Sequence, residues 1–131
     1  MILLDTHVLL WLCLEPKRLS RPAAAAIRRA VSSGGVGIAS ISLWEIAMLI
    51  ARGRLSPRGT PEAWIAELVE TSGIVVKELT PVVAALSTQF PNDFSADPAD
   101  RLIAATARAE GLALVTRDAN IRRSSFVKTI W

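Results

Sequence analysis

At Thr60-Pro61, Thr80-Pro81 and Asp97-Pro98 a residue able to cap a helix stands directly before a proline and a following helical pattern. Each pair fixes a helix start: the side chain accepts orphan N–H groups, and proline at the first helical position loses no hydrogen bond. The helices so begun span about 61–71, 81–89 and from 98 to a stop at Gly111. Ser20 can cap another that runs to about Ser33, where Ser-Ser-Gly-Gly breaks it, and Thr6–Leu14 and about Leu43 to Arg52 complete the set. Between them stand the apolar runs Met1–Leu4, Val36–Ala39, Ile74–Lys77 and Leu112–Thr116, with a weaker Val127–Ile130 at the end. Short strands alternating with helices require an α/β fold, here one domain over 1–131 with a mainly parallel central sheet flanked by helices.

Composition narrows the class further. A hydrophobic share of 51% is high for a small soluble monomer, so either the core is rich in Ala, Leu and Ile or some apolar surface is buried against another chain. Neither Val8–Leu14 nor Ile46–Ala51 reaches the roughly 18–20 apolar residues a membrane crossing needs. Asp5 stands where a secretory signal would carry basic residues, so the expectation is a cytoplasmic chain. The lone Cys13 can form no internal disulfide and no Cys-rich zinc site; among Trp11, Leu12 and Leu14 it reads as a buried structural thiol. A net charge of +3 permits a polyanionic partner without requiring one. Trp11, Trp44, Trp64 and Trp131 read as core or interface rather than base-stacking platforms, and His7 as a helix residue with a satisfied hydrogen bond.

Four acids fall at related places in this pattern. Asp5 follows the first strand, Glu45 lies just beyond the second, and Asp118 follows Leu112–Thr116. Asp100 sits in the first turn of the helix before that strand. Open parallel sheets bind ligands at the carboxyl ends of their strands, so all four can meet at one edge. Each has a structural alternative. Asp5 can cap the next helix, Asp97 is the natural cap before Pro98, Asp100 suits the helix dipole and Asp118 fits a turn. Glu45 is the one charge on the apolar run Leu43–Ala51, which reads as a buried helix. It can serve a capping box Ser42-x-x-Glu45, or a metal, or both.

Two carboxylates about 5 Å apart at an effective dielectric near 20 repel by roughly 3 kcal/mol. Four in one crevice therefore call for a cation, and all-oxygen ligation without Cys or paired His favours Mg²⁺ or Mn²⁺ over zinc. Such a site suits phosphodiester hydrolysis. Arg101 beside Asp100, and Arg117, Arg122 and Arg123 around Asp118, are candidates for gripping phosphates around the acidic centre.

These residues fall into blocks: Met-Ile-Leu-Leu-Asp5-Thr6-His7; Ser40-Ile-Ser42-Leu-Trp-Glu45-Ile-Ala; Asp97-Pro98-Ala99-Asp100-Arg101; Leu114-Val115-Thr116-Arg117-Asp118; and the closing Trp131. In order and spacing the chain resembles the PIN-domain nucleases, and within them the VapC-type toxins of prokaryotic toxin–antitoxin pairs. The resemblance implies that Asp5, Glu45, Asp100 and Asp118 form the catalytic, metal-binding set, with Thr6, Ser42, Asp97 and Thr116 supporting them. It implies Mg²⁺- or Mn²⁺-dependent endonucleolytic cleavage of RNA, a homodimer, and inhibition by a cognate antitoxin through which the pair binds operator DNA. Many relatives carry His shortly before the Asp-Pro block, where this chain has Phe94-Ser95-Ala96, so the contact made by that His is in question. The rival reading is a catalytically idle PIN-fold interaction module, against which the intact acids speak. A nucleotide-binding Rossmann domain lacks its Gly-rich turn, and a phosphatase lacks its second Asp because position 7 is His.

Overall fold

The computed structural model describes all of residues 1–131. Five parallel strands form one sheet in the order β3-β2-β1-β4-β5. They are β1 (Ile2–Leu4), β2 (Val36–Ala39), β3 (Val75–Lys77), β4 (Leu114–Val115) and β5 (Thr129–Ile130). The helices are α1 (Thr6–Leu14), α2 (Arg21–Ser33), α3 (Ile41–Ala51), α4 (Pro61–Ser72), α5 (Pro81–Ser87), α6 (Pro98–Glu110) and α7 (Ala119–Arg123), with a 3-10 turn at Pro16–Arg18. No helix is long and apolar enough to cross a membrane.

The inner strands β1, β2 and β4 are buried on both faces, as the centre of a parallel sheet is, while the edge strands β3 and β5 are partly open. Adjacent residues of one strand point to opposite sides, so Leu3 and its partner Leu114 enter one core while Leu4 and Val115 enter the other. The first core adds Val83, Phe94, Ile103 and Ile121 from the side of α5, α6 and α7. The second adds Val8, Ile27 and Ile46 from α1, α2 and α3. Thr60, Thr80 and Asp97 each accept a backbone N–H at the helix starts that their prolines mark. Gly111 ends α6 at φ 66°, a left-handed conformation that a side chain would oppose.

Several elements depart from the sequence reading. Helix α3 starts at Ile41, so Ser42 lies inside its first turn and cannot cap it, and the capping box does not form. Nor is α3 buried all round. It packs on α1, α4 and α6, yet only Ser42 and Ile46 are fully enclosed, and Trp44 is 56% exposed. Asp118 is not a simple turn residue but the N-cap of α7, accepting from the N–H groups of Asn120 and Ile121. Cys13 is exposed, because the last turn of α1 passes over a cleft facing α4 rather than over the sheet.

Candidate active site

β1 is central: the chain builds β2 and β3 outward on one side of it, then returns to add β4 and β5 on the other. The crevice at such a reversal, beyond the strand ends, is where open α/β sheets bind ligands. Here it is a recess of about 350 Å³ walled by Asp5, Glu45, Asp97, Asp100 and Asp118, with His7, Val8, Trp11 and Arg117. All four acids singled out from the sequence therefore share one crevice.

Asp5, Glu45 and Asp100 each accept from the hydroxyl of a Thr or Ser, whereas the Asp118 carboxylate accepts backbone N–H groups at the start of α7. Asp5, buried at the end of β1, accepts the Thr6 N–H at 2.7 Å and the Thr116 hydroxyl at 2.7 Å. Thr116 also accepts the Asp118 N–H at 3.1 Å, which ties the ends of β1 and β4 together. The Thr6 hydroxyl lies 2.6 Å from Glu45 Oε1 and 2.8 Å from the fully buried Ser42 Oγ. A hydroxyl has one proton to give. When Glu45 is ionised, Thr6 donates to it and Ser42 donates to Thr6. Glu45 thus leans on Thr6 of α1, not on its own helix start. Asp97 caps α6 through Ala99 N at 2.9 Å, while its exposed side lines the crevice.

A fifth support, Ser95, was not found from the sequence. Ser95 donates its hydroxyl to Asp100 Oδ2 at 2.6 Å and accepts the Asp97 N–H at 3.2 Å. It stands in the Phe94-Ser95-Ala96 segment, which the sequence reading marked only as a departure from the resemblance. Arg101 turns away from the acids. Its guanidinium donates to the carbonyls of Ser95 at 2.8 Å and Pro91 at 3.3 Å and lies over Phe94, bracing the loop that carries Ser95. Arg117 does face the crevice, resting 6.0 Å from the Trp11 ring. Arg122 is exposed, and Arg123 bonds the Asn120 side chain beside a separate polar recess. His7 is a helix residue of α1, as expected, but its ring makes no hydrogen bond: it is exposed on the crevice wall, tilted against Trp11 at 6.1 Å.

The electrostatics are those of carboxylates without counter-ions, since neither ion pair of the structure involves these acids. Burial pushes Glu45 up to about 7; the Thr6 bond opposes it and Asp5, Asp100 and Asp97 add to it. Burial also raises Asp100 to about 6, against the Ser95 bond and with help from Asp97, Asp5 and Asp118. Asp5 is raised by burial too, despite the hydroxyl of Thr116 and the N–H of Thr6.

A model of the PIN domain matches residues 2–127. The chain belongs to the PIN-domain family. This PIN domain is 39% identical to Ribonuclease VapC22 of Mycobacterium tuberculosis across 99% of the chain and 98% of that relative. It is of VapC type. Its fold matches the crystal structure of VapBC2 from Rickettsia felis bound to a promoter DNA fragment, with a TM-score of 0.73, 16% identity and coverage of 98% and 97% of the two chains. FitAcB from Neisseria gonorrhoeae aligns with a TM-score of 0.63 and 26% identity, over 98% of this chain and 96% of that one.

The PIN domain's acids do not form a closed cage: no three His, Cys, Asp or Glu side chains stand together as a ready-made ligand set. They line an open wall instead. That suits a small hard cation, which keeps much of its water and takes one or two carboxylates together with substrate oxygens. An all-oxygen donor set with raised proton affinities fits such an ion, and soft metals find no thiolate or paired imidazole here.

Proposed function

We propose that this chain is a metal-dependent endoribonuclease, the toxin of a toxin–antitoxin pair, with 1–131 working as one nuclease domain in the cytoplasm. The observation that carries the reading is the convergence of Asp5, Glu45, Asp100 and Asp118 on one strand-end crevice. The similarity to a protein named a ribonuclease supports RNA as the substrate class.

Bound Mg²⁺ or Mn²⁺ would supply charge neutralisation for the reacting phosphate, with Asp5, Glu45, Asp100 and Asp118 as the holding residues. Thr116, Thr6 and Ser95 fix the directions of Asp5, Glu45 and Asp100. Glu45 faces the crevice on its Thr6 bond and, as a carboxylate, is suited to take up the proton of the attacking water. Water adds to phosphorus, the bond to the leaving ribose oxygen breaks, that oxygen takes a proton from solvent, and the strand is released as two pieces. Arg117, at the crevice mouth, meets a backbone phosphate. Arg101 acts by holding the Ser95 loop, while Arg122 and Arg123 are left for phosphates farther along the strand.

The toxin role carries a partner with it. Toxin–antitoxin complexes among the fold's relatives support a cognate antitoxin, with operator DNA bound through that antitoxin. A cleft of about 480 Å³ between α1 and α4, walled by Leu12, Leu14, Trp64 and Leu68, offers apolar surface for a protein partner. The high apolar share is consistent with a homodimer. Incubating purified protein with single-stranded RNA and with DNA of matching sequence, in Mg²⁺, in Mn²⁺ and in chelator, tests the activity. New internal ends on RNA only when metal is present are expected. Cleavage unaffected by chelation, or none with either metal, contradicts the reading.

A further inference from the structure

Beside the acidic crevice lies a second recess of about 220 Å³, lined by Trp44, Met48, Leu49 and Arg52 of the α3 side together with Thr6, His7, Glu45 and Asp97. His7, Glu45 and Asp97 belong to both, so the two are continuous. Trp44, Met48 and Arg52 follow at intervals of four, which puts indole, thioether and guanidinium in one row leading outward from Glu45. Trp44 is 56% exposed, although the residue after it is the carboxylate of the candidate centre. The indole is not needed to fill a core.

We propose that this recess seats a nucleobase: the base of a nucleotide flanking the scissile phosphate stacks on Trp44, and Arg52 meets the phosphate beyond it. The inference rests on the ribonuclease reading. A neutral, flat ring is a chemical match for a wall of indole and thioether beside carboxylates, where a phosphate would be repelled. Single-stranded RNA is commonly held by bases splayed onto aromatic side chains with cations tracking the backbone. The crevice itself offers Trp11, but that ring is already covered by Arg18 at 4.6 Å and packs on Trp131 at 5.7 Å. Trp44 is the indole left open at the centre's edge.

The test uses the full chain with Mg²⁺ and a fluorescein-labelled single-stranded oligoribonucleotide, in an Asp118→Asn background that binds without cutting. Trp44→Ala weakens binding at least about tenfold, whereas Trp44→Phe retains most of it. The salt dependence is unchanged by Trp44→Ala, since no charge is lost, but becomes shallower by about one phosphate in Arg52→Ala. In the active protein, Trp44→Ala raises KM and leaves kcat within a few-fold. Unchanged RNA binding and KM in Trp44→Ala, from a protein that cleaves RNA, overturns the base seat alone. A changed molecular mass of Trp44→Ala in sedimentation also overturns it, by making this face an interface between copies. A wild-type chain that neither binds nor cleaves RNA overturns the ribonuclease reading and the base seat together.

Discussion

Glu45 is partly enclosed, near three other carboxylates, and has one hydroxyl to steady it. Ionising it there is unfavourable for the fold, and Glu45→Gln removes that burden while keeping an oxygen to accept from Thr6. The variant should therefore be inactive yet melt no lower than the wild type above pH 7 in chelator, as thermal denaturation will show. Ser95 gives the complementary case. It acts on Asp100 through a single 2.6 Å bond, so Ser95→Ala leaves every acid in place but frees one to turn. A loss of about 10–100-fold in metal affinity is expected from titration calorimetry, with a melting temperature in chelator lowered only slightly, since the Asp97 N–H that Ser95 also receives is exposed to water.

Among the helices, capping and chemistry separate cleanly at α4. Thr60 accepts the Ala63 N–H at 3.2 Å, far along the chain from the crevice residues. Thr60→Ala should lower stability by about 1 kcal/mol in denaturant unfolding while RNA cleavage is unaltered. The starts of α4, α5 and α6 could be read from Thr60-Pro61, Thr80-Pro81 and Asp97-Pro98 because the signal is local and chemical. The start of α3 could not. Ser40 makes no side-chain capping bond, and Ser42, the better-looking cap, is spent on Thr6. The five residues of α7 are too few for a periodic pattern, which left Asp118 looking like a turn. The four acids were legible because strand ends and helix starts are sequence features. Ser95 and the open face of Trp44 were not, since a contact across the fold and the exposure of one side of a helix arise only when elements pack.

For the whole molecule, the same geometry that concentrates charge at the reversal of the sheet ties stability to pH and metal. Glu45 and Asp100 titrate near 7 and near 6 in the fold, against ordinary values of 4.5 and 3.8. Between those limits the folded chain holds more protons than the unfolded one, so stability falls as pH rises. The penalty is absent below the ordinary values and complete above about 7. Melting in chelator should thus drop from pH 5 to pH 8, and Mg²⁺ should raise the melting temperature at pH 8 but scarcely at pH 5. A melting temperature that rises with pH in chelator would count against the electrostatic account.

The central claim, that the carboxylates at the ends of β1 and β4 and on α3 and α6 cut RNA with a divalent ion, meets its most direct test in one pair of rates. These are the initial rates of single-stranded RNA cleavage in Mg²⁺ by wild type and by Asp5→Asn, both confirmed folded by circular dichroism. Asp5→Asn should lose at least about a hundredfold, because Asp5 is the buried acid on which Thr6 and Thr116 converge. Equal rates for the two proteins would show that the crevice is not where RNA is cut.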